Sequence, residues 1–176
     1  MSIDQKTDER KDDNPFDPKN HRLYNEYMNI RAVLDKTNVE NGIDMSAADL
    51  GRTTLSAMRY LKAQELSRNN RLDPDSPIDG ASLSRANPHT GVAAGQYIAF
   101  YQGTRDEYEK LRVQGVPTSE LGHPAHVSMH DIRTIEAELQ QQRQMTMERE
   151  QTQQRDRNRD DQQQNAPSAG VRTIFS

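Results

Sequence analysis

Gly95-Gln96-Tyr97-Ile98-Ala99-Phe100-Tyr101-Gln102-Gly103 is the stretch on which the fold class turns. Aromatic residues and Ile are packed into Tyr97–Tyr101, and a glycine stands on each side. That is strand composition bounded by breakers. A strand needs a partner, and Leu111–Gln114 is the nearest candidate, since Leu111 and Val113 alternate there with Arg112 and Gln114. Thr104-Arg105-Asp106-Glu107, followed by Tyr108 and Leu111, also suits a capped helix. The expectation is a helical or turn element at Glu107–Leu111 feeding a short strand at Leu111–Gln114. Gly115, Pro117 and Gly122 to Pro124 read as breakers.

Outward from this strand pair the chain reads as helix. Upstream, Leu23, Tyr27, Ile30 and Leu34 recur at helical spacing, widened by Tyr24, Met28 and Arg31. The predicted helix runs from Pro18 to Lys36, with Asp17 as N-cap and Thr37-Asn38 as breakers. A second helix is predicted from Ala47 to about Ser67. Ser46 is its N-cap, and Asp49 stands three residues on, as in a capping box. Leu50, Thr54, Met58 and Leu61 form its stripe, extended by Leu55 and Leu66, while Gly51 weakens the first turn. Residues 71–95 hold Pro74, Pro77, Gly80, Pro88, Gly91 and Gly95 and read as one long polar loop. A third helix is predicted to begin after Ser128, with Met129, Ile132, Ile135 and Leu139 as its stripe.

Composition limits how much of the 176 residues can form a core. Leu, Ile, Val and Phe number 29, and 25 of these lie between residues 14 and 139. Residues 1–13 are almost wholly polar and are expected to be disordered, because nothing there repays ordering. Residues 140–164 contain ten glutamines among Arg, Asp and Glu, with Met145 and Met147 as the large apolar residues. The segment 140–176 is therefore expected to be a flexible tail. The expected organisation is a small α+β domain at 14–139, of about three helices and a small antiparallel sheet, between two polar ends.

Several chemistries are excluded or disfavoured. There is no Cys, so disulfides and thiolate catalysis are impossible. No run approaches a membrane span, and the charged residues 1–13 lack the apolar core of a secretory signal. A net charge of −4 argues against non-specific nucleic-acid binding by the whole chain. No Gly-x-Ser-x-Gly elbow, Walker loop or Gly-x-Gly-x-x-Gly occurs. Asp73 and Asp75 sit in a Pro-rich turn where solvent is expected to keep them ordinary.

His123, His126 and His130 follow a His-x2-His-x3-His spacing. Two imidazoles four apart on a helix can share a metal. A helix beginning after Ser128 would leave His126 outside it, so these residues read as histidines at a polar helix entry, and neither metal nor cofactor is expected. Arg143, Arg149, Arg155, Arg157 and Arg159 alternate with acids and glutamines, which is a solvated face more than a phosphate clamp. Tyr97, Phe100, Tyr101 and Tyr108 read first as core. The sharper reading leaves Tyr97 and Tyr101 exposed on one strand face for a partner, since aromatic residues are favoured interface anchors. Val171 to Ser176 reads either as a docking peptide on a tether or as a frayed end.

The order of these features resembles a known family. An Asn-Pro-x-Asp-Pro-x-x-His-x-Leu-Tyr entry, Asn14 to Tyr24, opens a helix. A second capped helix follows, then an aromatic strand, Val113-Gln114-Gly115, Ala125-His126-Val127, a helix and a Gln-rich tail. This resembles XVIPCD modules, the C-terminal secretion-signal domains of antibacterial effectors in Xanthomonadales type IV secretion systems. Pro18, His21, Leu23 and Tyr24 match the family's helix entry, and Val113, Gln114 and Gly115 match the end of its strand pair. The match covers residues 14–164. Where the family carries Gly-Leu-x-x-Ile-Asp-His-Val, this chain has Arg71-Leu72-Asp73 and the long loop.

The resemblance implies a non-catalytic address read by the coupling ATPase of the secretion channel. Its partner-binding residues would be His21, Leu23, Tyr24, Tyr97, Tyr101, Val113, Gln114 and Gly115. A cargo effector or an immunity protein would be a further partner. The chain would reside in the bacterial cytoplasm and be exported into a target cell. The competing expectation is a plasmid- or phage-encoded accessory protein that binds another protein or nucleic acid.

Overall fold

The computed structural model describes residues 13–175, with side chains placed up to residue 162 apart from that of Arg105. Of residues 1–13, expected to be disordered, 1–12 lie outside the described residues, as do the side chains of the 171–176 segment; Asp13 departs from that expectation, its carboxylate accepting from the Arg31 Nε–H at 2.8 Å. The chain divides into two units at Ile135–Glu136. The first is an α+β unit of two complete helices, a three-stranded antiparallel sheet and the opening turns of a third helix.

Helix α1 spans His21–Glu40. It starts three residues later than predicted, because Asp17 caps a separate turn through the Lys19 N–H at 2.9 Å. Asn20 is the actual N-cap, its side chain accepting from the Leu23 N–H. The helix also runs past the predicted breakers. Thr37 is buried, and its hydroxyl donates to the Val33 carbonyl at 2.8 Å, so Thr37 continues the helix. The chain turns at Gly42, whose φ of 66° places it in the left-handed region.

Helix α2 spans Ala47–Leu66 and starts as the capping pattern requires, with the Ser46 side chain accepting from the Asp49 N–H at 3.1 Å. Gly51 has a packing reason. A Cβ there would stand 3.2 Å from the Tyr27 Oη, so the glycine lets α1 and α2 approach. Past the C-terminus Arg68 takes φ 62°, and the Asn69 N–H reaches back to the Gln64 carbonyl at 2.9 Å. That is a Schellman closure with arginine where glycine is usual.

The sheet has the order β1-β2-β3, formed by Gly80–Leu83, Tyr97–Gln102 and Arg112–Pro117. β2 is the predicted aromatic strand. β1 corrects the reading of 71–95 as one structureless loop: Gly80-Ala81-Ser82-Leu83 has little strand propensity of its own, and pairing with Ile98–Tyr101 makes it a strand. A bridge between Asn87 and Val92 orders the turn beyond it. β3 extends past the predicted end at Gln114, because Val116 is fully buried opposite Ile98. The element before β3, Arg105–Lys110, is a 3-10 segment broken by a kink at Glu107, whose φ of −110° and ψ of 60° are not helical.

Helix α3 spans Ala125–Phe175 and begins before the predicted start. The Pro124 carbonyl accepts from both Val127 and Ser128 N–H at 3.1 Å, and Ser128 is buried instead of capping. His126 therefore lies inside the helix, four residues from His130. The backbone stays helical through the glutamine-rich stretch, which from Gln140 to Asp160 holds good helix formers with neither Gly nor Pro. From Gln140 to Gln162 the side chains are exposed except the half-buried Arg143.

The core of the first unit joins Leu23, Tyr27, Ile30 and Leu34 of α1 to Leu50, Leu55, Met58 and Leu61 of α2. Ile98 and Phe100 of β2, Val116 of β3 and Ile132 of α3 complete it, and Phe16 packs edge-on against Tyr27 with ring centroids 6.0 Å apart. The helices thus cover one face of the sheet, the face carrying Ile98, Phe100 and Gln102.

Candidate functional site

Strand alternation sends Tyr97, Ala99 and Tyr101 to the opposite face. Their cross-strand partners there are Pro117, Gly115 and Val113 from β3, and Ser82 and Gly80 from β1. Tyr97 is 38% exposed and Val113 39%, so a valine and a tyrosine stand in solvent over a floor of small residues. Tyr101 is half-buried because its ring lies across Gly80. Tyr108, in the 3-10 segment between β2 and β3, is exposed.

The structure brings four of the sequence-derived residues together: Tyr97, Tyr101, Val113 and Gly115 share this face. Gln114 belongs to the other side of the strand. Its Oε1 accepts from the Arg71 N–H at 3.0 Å, which ties β3 to the chain leaving α2. His21, Leu23 and Tyr24 stand on α1, across the core from the Tyr97 face. His21 is exposed at the helix start, Tyr24 packs partly against the core, and Leu23 is 3% exposed and belongs to it. No single flat contact reaches both groups.

The histidines do not converge. The His123 imidazole sits 3.2 Å from the Glu120 carboxylate, while His126 and His130 are exposed on α3. Among the described residues no group of three His, Asp or Glu side chains could hold a metal ion. No helix of the described residues is long and apolar enough to cross a membrane.

Asp73 corrects the reading of an ordinary solvent-bathed carboxylate. Its carboxylate accepts from the Asp75 N–H at 3.0 Å and from the Ser76 hydroxyl at 2.8 Å, and the first of these bonds leads in pulling its pKa below the usual value. The turn so formed is clamped by Gln102. The Gln102 amide accepts from the Asp73 N–H at 2.7 Å and donates to the Asp73 and Ser76 carbonyls at 2.8 and 3.0 Å.

Two features escaped the sequence reading. Lys62 is 3% exposed, with its Nζ 2.8 Å from the Glu26 Oε2, in a charge cluster that also holds Arg22 and Glu65 between α1 and α2. A cavity of about 60 Å³ lies beside it. The signal was a lysine one turn after Met58 on an apolar stripe. The second is a cleft of about 560 Å³ between the end of α2 and β3, lined by Arg68, Arg71, Gln114 and Gly115 among others. Its two arginines stand three residues apart at the end of α2, and only the tertiary fold sets them beside Gln114 and Gly115 of β3, which no local pattern announces.

No family model, curated protein or solved structure matches this chain.

Proposed function

We propose that this chain is a non-catalytic protein-interaction module that serves as a type IV secretion signal, alone as a small effector or as an adaptor, read by the coupling ATPase of the channel. The observation that carries the reading is the solvent-facing sheet surface. Tyr97, Tyr101 and Val113 stand over Ala99, Gly115 and Gly80, an arrangement of aromatic anchors on a flat floor suited to a protein partner. The resemblance of the Asn14–Tyr24 entry and of Val113-Gln114-Gly115 to secretion-signal modules gives the partner. On this reading His21 and Tyr24 form a separate contact at the start of α1, and Leu23 holds that helix in place. The chain works in the bacterial cytoplasm until it is exported.

The test is capture of the full chain by the soluble domains of the coupling ATPase from the same genome. Tyr97→Ala and Val113→Asp are each expected to weaken capture by about tenfold or more, as at interface hot spots. A form ending at Leu139 separates recognition by the α+β unit from recognition by the glutamine-rich helix. Absence of binding by the full chain at tens of micromolar defeats the reading, and titration with DNA across salt concentrations then tests the accessory-protein alternative.

A further inference from the structure

The free edge of β3 is the second feature of this surface. The Thr118 N–H donates to the Gln96 carbonyl at 3.0 Å, which fixes the hydrogen-bond alternation of the β2–β3 ladder. With the observed register, Ile98/Val116, Phe100/Gln114 and Gln102/Arg112 are the hydrogen-bonded pairs. Val113 and Gly115 therefore turn their N–H and C=O groups away from β2. The Gly115 carbonyl accepts from the Gln114 side chain at 3.2 Å, and no other loop hydrogen bond reaches Val113 or Gly115 among the described residues. A Cβ at Gly115 would meet no atom within 4 Å. The edge closes at Pro117, which has no N–H to offer.

This edge borders the cleft that holds Arg68 and Arg71, and neither Asp nor Glu lines that cleft. Both arginines are exposed, and neither is within ion-pair distance of a carboxylate among the described residues. Among the described residues, the outward Val113 N–H and C=O and the Gly115 N–H are left open beside guanidinium groups with no carboxylate partner, while the Gly115 carbonyl holds the Gln114 amide at 3.2 Å; together they define a complementary ligand, an extended chain for the strand groups and a carboxylate for the arginines.

We infer that the β3 edge takes an extended acidic segment of a partner protein, which adds as a fourth strand beside Val113–Gly115 and places its carboxylates on Arg68 and Arg71. The inference rests on reading the chain as an interaction module and does not depend on which protein is the partner. A second copy of this chain is the poorer occupant, because edge-to-edge pairing would bring the same arginines together from both sides.

The experiment uses the full chain, isotopically labelled, titrated with a short synthetic peptide of alternating Glu and Val. The expected result is saturable shifts of the Val113 and Gly115 amides. A peptide N-methylated at alternate residues should fail to bind, and the Lys-Val counterpart should bind about tenfold more weakly. The exposed pair Arg68→Glu/Arg71→Glu should reverse the preference, favouring the Lys-Val peptide; both positions are on the surface, so the fold is kept. Absence of these amide shifts, equal binding of the N-methylated peptide or an unreversed charge preference overturns the inference. Dimerisation through β3 with no peptide binding also overturns it, as does binding of a single-stranded oligonucleotide in the cleft in place of the peptide. Capture by the coupling ATPase is measured in parallel. Peptide binding without that capture removes the secretion reading and leaves the edge site standing, and the converse result removes the edge site alone.

Discussion

The phenol ring of Tyr101 lies across Gly80, filling the volume that any side chain at position 80 would need. The two residues are direct cross-strand partners, so the aromatic ring covers backbone that the glycine leaves bare. This contact holds the otherwise weak β1 against β2 and shapes the solvent-facing surface. A Cβ at Gly80 would overlap the ring atoms Cζ and Oη, so Gly80→Ala must displace Tyr101. Overpacking of this kind costs about 1–3 kcal/mol. In a Tyr101→Ala background the same substitution should cost much less. Equal costs in the two backgrounds, measured by denaturant unfolding, would show that the ring does not rest there.

Gln102 is expected to be among the costlier polar side chains of the unit to remove. It is 6% exposed and satisfies three backbone groups of the 73–76 turn. Gln102→Leu keeps the size and strands those groups, for an expected loss of about 2–4 kcal/mol. Hydrogen exchange should show faster opening of residues 73–79 in the variant.

Arg68→Gly should stabilise the protein. Arg68 holds a left-handed conformation at the end of α2, where a side chain is strained and glycine is not. The gain should be about 0.5–1 kcal/mol, read as a raised unfolding midpoint. A loss of stability would mean that the arginine side chain makes a compensating contact.

Alkali should weaken the fold through Tyr27. Burial, helped by the Asp13 carboxylate and opposed by Arg31, raises its pKa to about 12 from 10.0. The folded state therefore holds the phenol proton where the unfolded chain has lost it. Stability from this group is complete below pH 10 and declines as pH rises from 10 towards 12, with a slope approaching about 1.4 kcal/mol per pH unit. Tyr27→Phe should flatten that part of the profile. Parallel profiles for the two proteins would exclude Tyr27 as the titrating group.

Helices were legible because each carries its own evidence. Ser46 and Asp49 announced the start of α2, and Leu23, Tyr27, Ile30 and Leu34 announced the buried side of α1. Their ends were less legible. Thr37 reads as a breaker in isolation; its hydroxyl bonds the Val33 carbonyl one turn back on the same helix, and it is the approach of β1, with the Ala81 carbonyl at 3.4 Å, that adds a second acceptor. Asp17 and Asn20 are both competent caps, and local sequence did not rank them. Ser128 looked like a cap and is core, since Pro124 supplies the carbonyl that starts α3.

The candidate surface was half legible. Tyr97, Tyr101 and Val113 could be named as aromatic or alternating residues, and strand alternation then allots them a common face. Gln114, one residue from Val113, goes to the other side and braces Arg71. The basic cleft joins Arg68 and Arg71 to Gln114 and Gly115 across more than forty positions of chain.

What the amino-acid sequence determined by itself is the set of elements with strong local causes. These are the capped amphipathic helices α1 and α2, the aromatic strand β2 between its glycines, and an α+β fold with polar ends. What the tertiary structure alone decided is everything that depends on pairing. Gly80–Leu83 is a strand because β2 offers it hydrogen bonds, Val116 is core because Ile98 stands opposite, and the edge of β3 is open because no fourth strand follows it among the described residues. Helix periodicity repeats within a few residues and can be read along the chain. A ladder joins residues far apart in sequence, and its register exists only once they meet.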